Sequence, residues 1–321
     1  MPDNLFLQVR EACRTVAQQA RHVRINEDRL ADYATSLPLE RIAQPQHDPA
    51  SHYLGHGTDT VAFFVTLDAI NFGSGYFPVL RKRPGMSGYF TVASALKDHF
   101  QAHGPLGAPQ LAALTAQDCA RLFGQQTCNV PIAELMEHFA TALNDLGRYL
   151  LHAFDGSFVA LVEQAGASAE RLARLLIEMP YFQDVASYRG LPVPLYKRAQ
   201  ITSADLYVAF QGQGPGRFDD IEQLTIFADN LVPHVLRCDG LLAYDQALAA
   251  RIDSEELLPA GSEEETEIRA CALHAVELLS AALRRAGHHV PPMRLDWLLW
   301  NRGQDPYYKD RPRHRTRTVY Y

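Results

Sequence analysis

Cysteine is scarce and unpatterned in this 321-residue chain: five residues, at 13, 119, 128, 238 and 271, with no Cys-x-x-Cys pair. An odd, scattered set argues against a disulfide framework and against a thiolate zinc site, and predicts a reduced, cytoplasmic protein. A basic surplus is lacking as well. Thirty Lys and Arg against 37 Asp and Glu leave a formal net charge of -7. Holding a polyanion takes an excess of cations to displace its counterions, so an intact nucleic acid is disfavoured as a partner. No apolar run reaches the roughly 18 residues of a membrane span, and the first residues lack a basic stretch followed by an apolar core, so no membrane partner is expected. Signature motifs are missing too. Gly212-Gln213-Gly214-Pro215-Gly216 lacks the third glycine of a dinucleotide fingerprint, and Pro215 removes an amide that would face phosphate. Ser74 and Ser87 lack the glycine spacing of a nucleophile elbow, and His47, His52 and His56 lack the spacing of a metalloprotease helix. The sequence implies no metal and no cofactor.

Strand-like alternation is also sparse. Only Val61 to Leu67 and Leu206 to Phe210 are short runs of the apolar, β-branched or aromatic kind, and a buried helix explains either equally well. Helical periodicity is abundant: Phe139, Leu143, Leu146 and Leu150, then Phe154, form a core-facing stripe. The first helix carries Leu5, Val9, Cys13 and Val16, and a second starts at Asn26 as its cap and uses Leu30, Tyr33 and Leu37. Ser262 followed by Glu265 fits a capping box, with Ile268, Cys271, Ala275, Leu278 and Leu279 as the buried face and Gly287 as the stop. Irregular connections are expected over 40–59 and 73–88. The expectation is a mostly α protein with few or no strands: a single compact domain over 1–321, with room for two helical lobes.

Asp229 is the most unusual acid. It ends the apolar run Leu224-Thr225-Ile226-Phe227-Ala228-Asp229, and Pro233 follows four residues later. If the run is helical, Pro233 has no N–H for the carbonyl of Asp229, and the backbone bends or stops beside the carboxylate. That would open a pocket wall at a group suited to base or charge-stabilising work. On residue type alone, a helix cap or a solvent-facing acid is the commoner role.

Several separated segments together resemble the queuosine-salvage N-glycosylase/hydrolase family. They are Val65-Thr66-Leu67-Asp68-Ala69-Ile70-Asn71-Phe72, Gly156-Ser157-Phe158, Leu195-Tyr196-Lys197-Arg198-Ala199-Gln200-Ile201, Phe227-Ala228-Asp229, Gly261-Ser262 with Glu267-Ile268-Arg269-Ala270, Leu295-Asp296-Trp297-Leu298-Leu299-Trp300, and His314-Arg315-Thr316-Arg317 with Tyr320-Tyr321. The resemblance implies a helical arrangement like that of helical DNA glycosylases. It also implies hydrolysis of the N-glycosidic bond of queuosine 5'-monophosphate, a small-molecule nucleotide, to queuine and ribose 5-phosphate, with Asp229 as the catalytic aspartate. Two departures stand out. Where the family tends to read Phe-Ala-Asp-Tyr-Arg-Leu-Pro-Gln, this chain has Asn230, Leu231 and His234 after the acid. Where the family often places a Trp after Asn71-Phe72, this chain has Gly73-Ser74-Gly75-Tyr76-Phe77, so the ring that stacks on the base is Tyr76 or Phe77.

The chemistry gives each candidate a role. Breaking a ribosyl C–N bond builds positive charge on the sugar, and a fixed carboxylate opposite the base stabilises that charge and orients or deprotonates water; Asp229 takes this role. A 7-deazapurine carries carbon where guanine has N7, so it cannot be protonated there. Asp68 and Asn71 either hydrogen-bond the base edge or only cap and bridge helices. Phe72, Tyr76 and Phe227 stack on the base or are simply core. Lys197 is assigned to the 5'-phosphate, with Arg315 and Arg317 from a basic tail as further phosphate candidates; the tail is expected to dock on the body. Three alternatives remain: a hydrolase of an unphosphorylated or other 7-deazaguanine nucleoside, a glycosylase acting on a base in DNA or RNA, and a non-catalytic helical module that holds a deazapurine or a tRNA.

Overall fold

The computed structural model describes residues 4–42 and 45–321. It meets the mostly α expectation. Apart from an isolated bridge between Leu257 and Arg315, strands among the described residues form two antiparallel ribbons, Val23–Ile25 with Leu242–Tyr244 and Val185–Tyr188 with Leu191–Pro194. Both ambiguous runs are helical. Val61 to Leu67 lies in helix Thr58–Ala69, where every residue from Thr60 to Ala69 is buried and no polar face is left to reveal the period. Leu206 lies in helix Lys197–Ala209. The chain divides into two compact units. The first comprises residues up to Pro45, Asp184–Lys197 and Glu222–Arg317; the second comprises Gln46–Gln183, Arg198–Ile221 and Thr318–Tyr321.

Helix Glu263–Arg285 is the axis of the first unit. Ser262 accepts the N–H of Glu265 at 3.2 Å, as a capping box requires, while Glu265 reaches back to the N–H of Gly261 at 3.1 Å, one residue before the usual donor. Glu263, Glu264 and Glu265 in the first turn and Arg284 and Arg285 in the last suit the helix dipole. Ile268, Cys271, Ala275 and Leu279 are fully buried in one core with Val9, Cys13 and Val16 of helix Leu5–Gln19 and with residues of helices Leu30–Ser36, Leu231–Cys238 and Pro292–Arg302. Each large aliphatic side chain so buried contributes about 1.5–3 kcal/mol. The second helix departs from expectation. A 3₁₀ turn, Glu27–Arg29, precedes it, so Asn26 makes no side-chain cap and instead donates from Nδ2 to the carbonyl of Gly240 at 2.8 Å. Ribbon Val185–Tyr188 with Leu191–Pro194 turns through Arg189 and Gly190, both at positive φ, the two-residue turn whose twist matches the strands.

In the second unit, helix Val130–Ala153 carries the expected stripe: Phe139, Leu143, Leu146 and Leu150 are fully buried. Gly147 on this helix allows close approach of Ala108–Ala113; a β-carbon there would lie 2.6 Å from the carbonyl oxygen of Ala108.

Candidate active site

The chain does not reach Asp229 as a helix. Leu224 to Ala228 is irregular, and helix Leu231–Cys238 begins two residues after the acid, so the conditional picture of a helix broken beside the carboxylate is corrected. Pro233 falls in the first turn of that helix, where a missing N–H costs nothing. Asp229 Oδ1 accepts the N–H of Leu231 at 2.7 Å and of Val232 at 3.2 Å. The capping role is therefore real, and it uses one oxygen. Oδ2 makes no hydrogen bond to the described residues, and Asp229 is half-buried. A helix N-terminus thus fixes a carboxylate whose other oxygen is left for chemistry.

A second carboxyl group stands behind it. Asp296, in helix Pro292–Arg302, is buried at 5% exposure, and its Oδ1 accepts the N–H of Phe227 at 2.9 Å. Burial pushes its pKa up to about 8, the negative charge of Asp229 adds to the rise, and the Phe227 N–H and the Lys197 ammonium oppose it. Two nearby acids in one desolvated place cannot both carry charge cheaply. Asp296 is accordingly neutral near pH 7.

Two further side chains hold the backbone around these acids. Arg269, from the central helix, clasps Asp184 through two bonds of 2.9 and 2.6 Å, both side chains almost fully buried, and donates from Nε to the carbonyl of Ala228 at 2.8 Å. Asp184 in turn accepts the backbone N–H of Lys197 at 3.2 Å, and its carbonyl accepts from Leu195 and Tyr196. One buried pair thereby anchors both the residue before Asp229 and the start of the Lys197 segment. Tyr196, beside Lys197, sits at φ 48°, a left-handed conformation that a non-glycine residue adopts at a cost and that recurs at functional sites.

The basic tail docks, as expected. Within the first unit, Asn230 Nδ2 donates to the carbonyl of His314 at 3.3 Å, and the N–H of Leu258 donates to that of Arg315 at 2.9 Å. Arg315 pairs with Glu255 at 3.0 Å, and Arg317 is exposed. Arg313 immediately precedes these anchors, close enough for the charge of Asp229 to act on it.

The structure gathers Asp229, Phe227 and Lys197 in the first unit, whereas Asp68, Asn71, Phe72 and Tyr76 belong to the second. There, Asp68 is fully buried and accepts from Asn71 Nδ2 at 3.3 Å, the bridging arrangement. Phe72 meets Phe139 edge-to-face at 5.2 Å, and the Arg198 guanidinium lies 4.9 Å over its ring. Tyr76 is buried. Arg198, adjacent to Lys197 in sequence, is a structural cation: it also covers the ring of Phe182 and donates to the backbone carbonyls of Ala69, Tyr181 and Val319.

Asp296, Arg269 and Arg313 were assigned no individual role from sequence. For Asp296 a signal existed, since it too is an acid inside an apolar run, Leu295-Asp296-Trp297-Leu298-Leu299-Trp300. Arg269 interrupts a helical stripe in the same way. Nothing local singles out Arg313 from its basic neighbours.

Fold and site together define a mostly helical protein with a charged and a neutral carboxyl group on one anchored backbone, an arrangement suited to acid–base chemistry. Residues 51–321 match the model of the family described as queuosine salvage protein. The chain is 38% identical over 96% of both chains to the queuosine 5'-phosphate N-glycosylase/hydrolase of Sphaerobacter thermophilus. It is 31% identical to the protein of that name from Mus musculus, over 98% of this chain and 99% of the relative, and 30% identical to that from Dictyostelium discoideum, over 98% of both. The chain belongs to the queuosine salvage protein family.

Proposed function

We propose that this protein hydrolyses the N-glycosidic bond of queuosine 5'-monophosphate, releasing queuine and ribose 5-phosphate. The observation that carries the reading is Asp229, pinned through Oδ1 by two backbone N–H groups with Oδ2 uncommitted, beside the neutral Asp296. As the bond between C1′ and the base nitrogen lengthens, Asp229 stabilises the positive charge on the sugar and orients water. Water oxygen bonds to C1′, its proton passes to Asp229, and that proton finally replaces the sugar on the base nitrogen. Asp296 keeps the pair at a single negative charge and holds the N–H of Phe227, two residues before Asp229.

Lys197 is assigned to the phosphate, with Arg315 and Arg317 kept as tail candidates. Asp68 and Asn71 are assigned to the base edge, and Phe72, Tyr76 and Phe227 to its faces, on residue chemistry. The substrate is a free nucleotide rather than an intact nucleic acid, in keeping with the net charge of -7. No helix among the described residues is long and apolar enough to cross a membrane. A cytoplasmic setting is part of the proposal, supported by five free cysteines.

The test is mass-spectrometric detection of base released from queuosine 5'-monophosphate and from queuosine by the wild type and by Asp229→Asn. Release from the monophosphate that drops at least a thousandfold in the variant is expected. No release by the wild type from either compound overturns the reading, and full activity in the variant overturns the role of Asp229.

A further inference from the structure

The tail from Lys309 to Arg317 carries five Lys and Arg and one His, and the structure accounts for several of them separately. Arg311 lies 3.7 Å over the ring of Tyr307 and donates to that residue's carbonyl. Arg315 is paired with Glu255. His314 is buried at 2% exposure, and burial, then the neighbouring cations, hold its pKa down at about 3, so it carries no charge at neutral pH. Arg313 differs. Its side chain is half-buried, yet it makes neither a hydrogen bond nor an ion pair with any described residue.

Its position is set by backbone geometry. The carbonyl of the next residue, His314, is held by the side chain of Asn230, the residue after Asp229, and the carbonyl of Arg315 is held by the N–H of Leu258. These two bonds fix the backbone of Arg313 beside the Asp229–Asn230 segment. The carboxylate of Asp229 acts on Arg313 without bonding to it, and Oδ1 of that carboxylate is already spent on Leu231 and Val232. A guanidinium partly taken out of water without a partner carries a desolvation cost that a docking anion offsets. Its planar fork of donors matches the oxygens of a phosphate monoester.

We propose that Arg313 is the tail residue that binds the 5'-phosphate of the nucleotide, next to the carboxylate that acts on the sugar. The inference rests on the proposed reading of Asp229. It moves the tail's phosphate contact from Arg315, committed to Glu255, to Arg313, which pairs with none of the described residues. It also links recognition to catalysis: a sugar bearing the phosphate would be held at one end by Arg313 and presented at C1′ to Asp229.

Two measurements test this on the full chain. Steady-state kinetics on queuosine 5'-monophosphate and queuosine, with wild type, Arg313→Gln and Arg313→Lys, give the preference for the phosphorylated substrate as a ratio of kcat/KM values. Arg313→Gln is expected to collapse that ratio by about ten- to a hundredfold, mainly through KM for the monophosphate, with Arg313→Lys in between. Calorimetric titration with ribose 5-phosphate, which needs no turnover, should show a parallel loss of affinity in the Gln variant. A ratio that stays at the wild-type value, or ribose 5-phosphate binding that is unchanged, overturns the proposal. An equal fall on both substrates assigns Arg313 to Asp229 itself and also overturns it. If the wild type turns over neither compound, the proposed function fails while the titration still decides what Arg313 binds. Circular dichroism identifies a variant that fails to fold, and the Lys variant then carries the test.

Discussion

Replacing Asp296 with Asn turns a carboxyl that is neutral only below about pH 8 into a side chain of the same shape that is neutral at every pH. In the folded protein, burial and the nearby Asp229 lift this carboxyl from an ordinary 3.8 to about 8. Because the folded pKa is raised, the folded state binds the extra proton. The stabilisation is fully present below about pH 4 and is lost as pH rises towards 8. At roughly 1.4 kcal/mol per pH unit, the loss attributable to this one group across that window is on the order of 5 kcal/mol. Urea melts of wild type and Asp296→Asn at half-unit steps from pH 4 to 9 should therefore diverge, the variant lacking the decline. The difference between the curves is the quantity to read, since half-buried His47 and buried His52, His234 and His314, with depressed pKa values, tilt both curves the other way at lower pH. Activity should follow the same group. Wild-type kcat/KM should fall about tenfold per pH unit above 8, as a second negative charge appears beside Asp229, and Asp296→Asn should keep its activity there. A variant with an unshifted alkaline limb would refute the neutral-acid account; one that is inactive at all pH values would mean Asp296 must itself deliver a proton.

Two stability predictions concern the frame. Arg269→Met leaves Asp184 charged and buried and frees the carbonyl of Ala228, so it should cost about 3–5 kcal/mol in chemical denaturation, whereas Arg269→Met with Asp184→Leu should recover much of that loss. Gly147→Ala should destabilise by about 1–3 kcal/mol, because the added methyl meets backbone of Ala108–Ala113 rather than a movable side chain; a thermal melt unchanged from wild type would contradict the close packing there.

Much of the local structure was legible in sequence because its causes are local. Ser262 and Glu265 lie three residues apart and cap the same turn, and Phe139, Leu143, Leu146 and Leu150 recur at the helical period. Local signals also misled. Asn26 has a cap's chemistry, but a 3₁₀ turn displaced the helix and the carbonyl of Gly240, over two hundred residues on, claimed its amide. The apolar run before Asp229 has helix-compatible residues, yet Asp296 and Arg269 hold its backbone groups in a non-helical path.

By itself the sequence determined the helical class, through periodic apolar stripes and caps, and pointed to Asp229, through the oddity of an acid closing an apolar run. Family resemblance in separated segments supplied the chemistry to expect. Tertiary structure alone decided which oxygen of Asp229 is spent, that Asp296 is kept neutral, and that Arg313 is a half-buried tail cation that pairs with none of the described residues. The bonds responsible join residues 69, 84 and 85 positions apart, Phe227 to Asp296, Asn230 to His314 and Asp184 to Arg269. Desolvation and charge coupling arise only when such distant groups are packed together, so no window of sequence contains them.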